Sequence, residues 1–102
     1  MSEKLPATTT LLKAVMSQIA PVTIRPSTWS KYRWAADFDD VEIGGDGTLC
    51  SPTGYGRTEQ SAIRSLWDKV AYLESPMRLV AFPFSYRRQE WRWNGESWER
   101  LK

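Results

Sequence analysis

Histidine is absent from all 102 residues, which removes the commonest general base near neutral pH and the commonest zinc ligand. Cysteine occurs once, at Cys50. A lone thiol closes no internal disulfide and builds no cysteine-rich zinc site, and without histidine it lacks its usual activating base. A small buried thiol is therefore expected at Cys50, in a reduced, cytoplasmic setting. No apolar run approaches the roughly 20 residues that span a bilayer. The opening Met1-Ser2-Glu3-Lys4 lacks the charged-then-apolar pattern of a secretion signal. Membrane contact is not expected. Neither the phosphate-loop pattern G-x-x-x-x-G-K-[ST] nor the dinucleotide pattern G-x-G-x-x-G occurs. Asp37, Asp39, Asp40 and Glu42 cluster locally, but without the spacing of an EF-hand loop. Asp39-Asp40 reads more simply as a polar turn between strands. No cofactor, no metal and no catalytic activity are expected.

What the chain does have is tryptophan: six, with four tyrosines and three phenylalanines. Each indole can bury a large area, so one domain of this length can close a core without staples. The net charge is +2 and the pI about 8.8, a mild basic excess that permits an acidic partner without naming one.

Residues 1–7 read as a flexible tail and 8–102 as a single domain. Thr8, Thr9 and Thr10 offer N-caps to a helix over 9–20, in which Leu11, Leu12, Val15, Met16 and Ile19 make one apolar stripe before Pro21. That stripe serves as a packing face or, if exposed, as a dimer face. A strand is expected over 22–25, and a longer one over 29–38 with Tyr32, Trp34, Ala36 and Phe38 facing the core and Lys31, Arg33 and Asp37 facing water. Val41-Glu42-Ile43 and Thr48-Leu49-Cys50 flank a glycine-rich turn containing Asp46-Gly47, a hairpin signal. The main helix is expected over 58–74. Thr58 caps it, Glu59 sits at its positive end, and Ile63, Leu66, Trp67, Val70 and Leu73 form its buried stripe. A strand over 78–84 follows, with Pro83 marking an edge or bend. The fold class is α+β: an antiparallel sheet of hairpins, one packed main helix, and a short N-terminal helix.

The chain closes on Trp91-Arg92-Trp93-Asn94-Gly95-Glu96-Ser97-Trp98. Asn-Gly is the strongest two-residue turn pair and predicts a ladder in which Trp93 faces Glu96, Arg92 faces Ser97 and Trp91 faces Trp98. Trp91, Trp93 and Trp98 then share one face, while Arg88, Glu90, Arg92 and Glu99 share the other. The tryptophan face either covers the core or stands exposed as an aromatic platform; the alternation is the same in both cases. As a platform, Trp91, Trp93, Arg92, Arg87 and Arg88 are the expected partner-binding residues, since Trp and Arg dominate protein–protein hot spots. The same platform could stack bases: the alternative is nucleic-acid binding by this basic, aromatic hairpin face, with Lys31, Arg33, Arg57 and Arg78 as a second basic set.

Gly54-Tyr55-Gly56-Arg57-Thr58 opens into the main helix. The plain reading is a tight strand-to-helix turn, though helix starts also bind anions. Gly54, Gly56, Thr58 and Ala62, following a hairpin, resemble the strand-to-helix turn of HicB-like antitoxins and double-stranded-RNA-binding domains, over 29–73. The resemblance implies a helix packed on a three-stranded antiparallel sheet. Double-stranded-RNA-binding domains carry phosphate-contacting lysines at this helix start, where this chain has Glu59-Gln60-Ser61; HicB-like proteins often add a DNA-binding segment, and no helix-turn-helix is evident here. In general character the chain also resembles small accessory proteins of phages and mobile elements, many of which bind and modulate a host protein. The expected function is thus a non-catalytic protein-binding module, with nucleic-acid binding as the alternative, acting as a monomer or homodimer.

Overall fold

The computed structural model describes residues 9–45, 47, 49–82 and 87–101. The elements run α1 (Thr9–Ser17), β1 (Val22–Pro26), β2 (Trp34–Phe38), β3 (Val41–Gly44), β4 (Leu49–Cys50), β5 (Thr53–Gly56), α2 (Glu59–Ala71), β6 (Arg78–Ala81), β7 (Gln89–Trp93) and β8 (Trp98–Arg100). All pairings are antiparallel and form two sheets, ordered β1-β2-β5 and β4-β3-β6-β7-β8. The fold is α+β, and no helix among the described residues is long and apolar enough to cross a membrane. The expectations for the tail and Thr8, for Asp46 and Thr48, and for Pro83 and Phe84 lie outside the described residues.

One bent hairpin joins the two sheets. Its first arm is β2 and β3, its second β4 and β5. β2 pairs with β5 in one sheet, and β3 with β4 in the other. Between the pairs Asp37↔Thr53 and Ile43↔Cys50, the first arm carries residues 38–42 while the second carries only 51 and 52. The surplus makes a corner at Asp39-Asp40, the expected polar turn. Asp40 takes φ 57° there, a left-handed conformation that aspartate tolerates better than most residues. The corner's backbone is satisfied from outside: the Asp39 N–H donates to Pro21 O (2.9 Å) and the Phe82 N–H to Asp40 O (2.9 Å).

The helix α2 packs across the β1-β2-β5 sheet because β5 presents no side chain to it. A Cβ on Gly54 would lie 2.2 Å from Leu66 N, and one on Gly56 2.5 Å from Ala62 N. The two glycines therefore set the distance at which helix backbone meets strand backbone. Thr58 caps α2 as expected: its side chain accepts from Ser61 N (3.1 Å), and Ser61 Oγ accepts from Thr58 N (3.0 Å), a reciprocal capping box. The helix ends at Ala71, short of 74, because Glu74 already belongs to the next turn, closed by Met77 N–H to Glu74 O (2.7 Å). Similarly, α1 stops at Ser17, and the chain tightens into Gln18→Val15 and Ile19→Met16 bonds. Leu12, Met16 and Ile19 of the α1 stripe enter the core, while Leu11 remains half exposed.

A single apolar cluster unites both helices and both sheets, with Leu12, Met16, Phe38, Val41, Leu66, Trp67, Leu79 and Trp93 among its members. Trp67 is wholly buried and packs edge-on against Trp93 (5.0 Å) and Trp98 (6.0 Å), which pack edge-on against each other (5.2 Å). The tryptophan face of the last hairpin is therefore turned inward. Trp98 Nε1–H also donates to Val15 O (2.9 Å), tying the hairpin to α1.

Three sequence expectations are corrected. The hairpin register is shifted by two: Trp93 faces Trp98, Arg92 faces Glu99 and Trp91 faces Arg100. The cause is Asn94, whose Oδ1 accepts from both Glu96 N and Ser97 N (2.8 Å each) and holds a four-residue loop in which Gly95 takes φ +101°. A slip of two residues keeps each side chain on its expected face. Secondly, the strand expected over 29–38 begins only at Trp34, because residues 27–33 close into a loop. Finally, Cys50 is exposed; it lies on the short edge strand β4, where Leu49 is exposed as well.

Candidate binding site

The loop between β1 and β2 is held by its own short-range hydrogen bonds. Pro26 ends β1. Ser27 N–H donates to Arg33 O (2.9 Å), Ser27 Oγ accepts from Trp29 N (3.0 Å), and Tyr32 N–H donates to Trp29 O (3.0 Å). Arg33 N–H then donates to Gly56 O (3.2 Å), fastening the loop to the end of β5. Two chain segments meet at that bond: the loop carrying Trp29, Lys31, Tyr32 and Arg33, and the β5–α2 junction carrying Arg57.

Pairing register sorts the sheet's two faces. Trp34, Ala36, Gly54 and Gly56 face α2, whereas Arg25, Ala35 and Tyr55 form one row of the opposite face, and Thr23, Asp37 and Thr53 the next. On this outer face Asp37 accepts from Arg25 Nε (2.5 Å) and from Thr53 Oγ1 (3.0 Å). The Arg25 guanidinium, outweighing partial desolvation, holds the Asp37 carboxyl below its ordinary value, with Thr53 assisting. Arg25 is raised in turn by its bond to Asp37. The pair is self-neutralising.

Above this row three rings cluster. Trp29 meets Tyr32 at 5.1 Å and Tyr55 at 5.2 Å, both edge-on, and Tyr32 stacks on Tyr55 at 6.0 Å. Ala35 beneath is fully covered, but Trp29 itself stays 50% exposed. Lys31 Nζ lies 5.7 Å from the Tyr32 ring centre and Lys69 Nζ 6.0 Å from that of Tyr55. An open pocket of about 510 Å³ adjoins the rings, lined by Ser27, Trp29, Ser30, Lys31, Tyr32, Arg33 and Arg57. Among the described residues its lining holds three cations and no carboxylate. None of Lys31, Arg33 and Arg57 forms an ion pair among the described residues.

The structure thus brings together Lys31, Arg33 and Arg57 of the second basic set and leaves Arg78 elsewhere. Arg78 lies on β6, in the other sheet, paired with Glu90 at 2.9 Å. Of the hairpin set, Trp93 is in the core, Trp91 is half-buried, and Arg92 donates to Met77 O. Arg88 pairs with Glu90 (3.3 Å), and Arg87 is exposed. The tyrosines of the ring cluster were missed in the sequence: Tyr32 reads there as a core residue of a strand, and Tyr55 as part of a glycine turn. The signal available was Pro26-Ser27-Thr28, turn chemistry directly ahead of alternating aromatic and basic residues.

No protein-family model, no curated protein and no solved structure matches this chain.

Proposed function

We propose that this chain is a non-catalytic binding module that takes a negatively charged macromolecular partner at the Trp29 pocket. One observation carries the reading: a half-exposed indole beside three cations with no carboxylate among the described residues of the lining. Three of the cations elsewhere on the described surface sit in ion pairs. Arg25 is matched by Asp37, and Arg78 and Arg88 by Glu90. An uncompensated cationic cluster raises the local potential and attracts anions, and a Trp–Tyr–Arg surface is the composition of binding hot spots. The C-terminal hairpin supports a protein contact with fewer groups, because its tryptophans pack inward and two of its arginines are engaged. An exposed single thiol at Cys50 fits a reducing compartment.

The test is retention on immobilised heparin. The combined Lys31→Ala, Arg33→Ala, Arg57→Ala variant should elute at clearly lower salt than the native chain, while the equally charge-reducing Arg87→Ala, Arg88→Ala, Arg100→Ala variant should elute close to it. Identical elution of the native chain and the pocket variant would remove the pocket as the binding surface.

A further inference from the structure

We infer that the anionic partner is a single-stranded nucleic acid, one of whose bases stacks on Trp29 while its phosphates pass Lys31, Arg33 and Arg57; this rests on the proposed function of the same pocket. Charge alone would suit any polyanion. The rings narrow the choice.

Trp29 is braced edge-on by two tyrosines, yet half its surface remains in water. A held, half-exposed aromatic ring suits an unpaired base, because every base has a π-face and stacks without regard to sequence. A duplex cannot use it: its bases are stacked on one another and present only their edges in the grooves. A run of carboxylates would gain from the three cations but nothing from the indole.

The cations are placed for a backbone rather than a point charge. Lys31 and Arg33 come from the loop, and Arg57 from the β5–α2 junction. The Arg33 N–H to Gly56 O bond (3.2 Å) joins the two segments where Arg33 and Arg57 emerge. Guanidinium groups grip phosphate through a planar fork of donors. Lys69, whose Nζ donates to Thr53 O (2.6 Å), brings a fourth positive group to within 6.0 Å of the Tyr55 ring centre. The chemistry is shared by DNA and RNA strands, since nothing in the lining is committed to a 2′-hydroxyl.

The experiment is fluorescence anisotropy of the full chain with labelled strands of about ten nucleotides, a length within the span such sites cover. DNA and RNA single strands, the matching duplex and polyglutamate serve as probes. Saturable binding of the single strands, tighter than of the duplex, is expected. Three phosphate contacts predict a slope of log K against log salt of about −2, and the Arg33→Ala, Arg57→Ala variant should flatten it to about −0.7. Trp29→Ala should weaken binding about 5- to 150-fold, and Trp29→Phe should recover most of the loss. The comparison of strand with duplex uses the native chain, so it decides the matter even if Trp29→Ala disturbs the loop. Equal affinity for strand and duplex, or an unaffected Trp29→Ala, overturns the stacking inference and leaves a general polyanion surface. Preference for polyglutamate overturns it in favour of an acidic protein, with the pocket retained. Binding of none of the probes removes both the inference and the pocket reading.

Discussion

A methyl group at Gly54 has nowhere to go. Its Cβ would lie 2.2 Å from Leu66 N and 2.4 Å from Ala62 O, both backbone atoms of a helix that cannot rotate aside. At Gly56 the nearest atom is Ser61 Oγ at 2.1 Å, the hydroxyl that closes the capping box of α2 by accepting from Thr58 N, with Ala62 N at 2.5 Å behind it. Gly54→Ala should therefore destabilise the fold by about 1–3 kcal/mol or more, as overpacking does, and Gly56→Ala should do so while also disturbing the cap. Gly47 makes the contrast. Nothing lies within 4 Å of its would-be Cβ, but its φ is +98°, so alanine there costs only backbone strain of about 1–2 kcal/mol. Urea denaturation separates the cases; an unchanged midpoint for Gly54→Ala would contradict the close helix–strand approach. Asp37 supplies a second test at this scale. Its carboxyl titrates lower in the folded chain than in the unfolded one, so it adds stability above the ordinary carboxylate range, and that contribution disappears as pH falls through the depressed value. The native chain should lose stability on acidification from pH about 5 downward more steeply than Asp37→Asn, which should be less stable at neutral pH. Parallel pH profiles would show that the Arg25 pair contributes nothing.

At the scale of elements, the sequence was informative wherever a periodic apolar pattern met a capping residue. The α2 stripe at Ile63, Leu66, Trp67 and Val70 is buried as its spacing predicts, and Thr58 is its cap. The N-terminal stripe was legible at Leu12, Met16 and Ile19 but not at Leu11, which is half exposed, and the corner at Asp39-Asp40 was legible as a polar turn. Alternation failed where local hydrogen bonding competes with the ladder. Trp29, Lys31 and Arg33 alternate with other residues as a strand would, yet Ser27 draws the chain into a loop, and the candidate site exists because of that departure. Asn94 is the other case. Asn-Gly predicts a two-residue turn, but a side chain that accepts two backbone N–H groups stabilises the four-residue alternative. Asn94→Ala removes the Oδ1 that accepts both bonds, together with the Nδ2 donor to Glu99 Oε2 (3.0 Å), and should cost about 1–2 kcal/mol, whereas the Asn94→Asp, Glu99→Gln double variant keeps the acceptor without setting two carboxylates together and should cost less. Because Trp93 and Trp98 lie 5.2 Å apart in the observed register, their coupled near-ultraviolet circular dichroism reports directly on the loop. Native-like stability in Asn94→Ala would mean that the indole pair, not Asn94, sets the register.

For the molecule as a whole, the question is whether two sheets amount to two folding units, and the packing says they do not. The β1-β2-β5 sheet reaches α2 through Gly54, Gly56 and Ala36, and the β4-β3-β6-β7-β8 sheet reaches the same helix through Trp93 and Trp98 on Trp67. The bent hairpin runs covalently through both. Neither sheet retains a buried apolar face if α2 leaves, and a sheet with an exposed apolar face is not independently stable. Substituting the residue at the junction should therefore weaken both sheets together. Trp67→Phe trims a wholly buried side chain whose Nε1 has no hydrogen-bond partner among the described residues, so the loss is one of packing, about 1–3 kcal/mol. Hydrogen exchange should show the slowest amides of β2 and of β6 and β7 losing protection by the same free energy. If β6 and β7 lost protection while β2 kept its own, the two sheets would be separate cooperative units, and the single apolar cluster would not be a single core. The same measurement bears on the binding site, since the Trp29 loop is anchored to β5 by Arg33 and to Tyr55 by its rings. Its amides should exchange ahead of the β2 amides in the native chain and approach them in protection when the pocket is occupied.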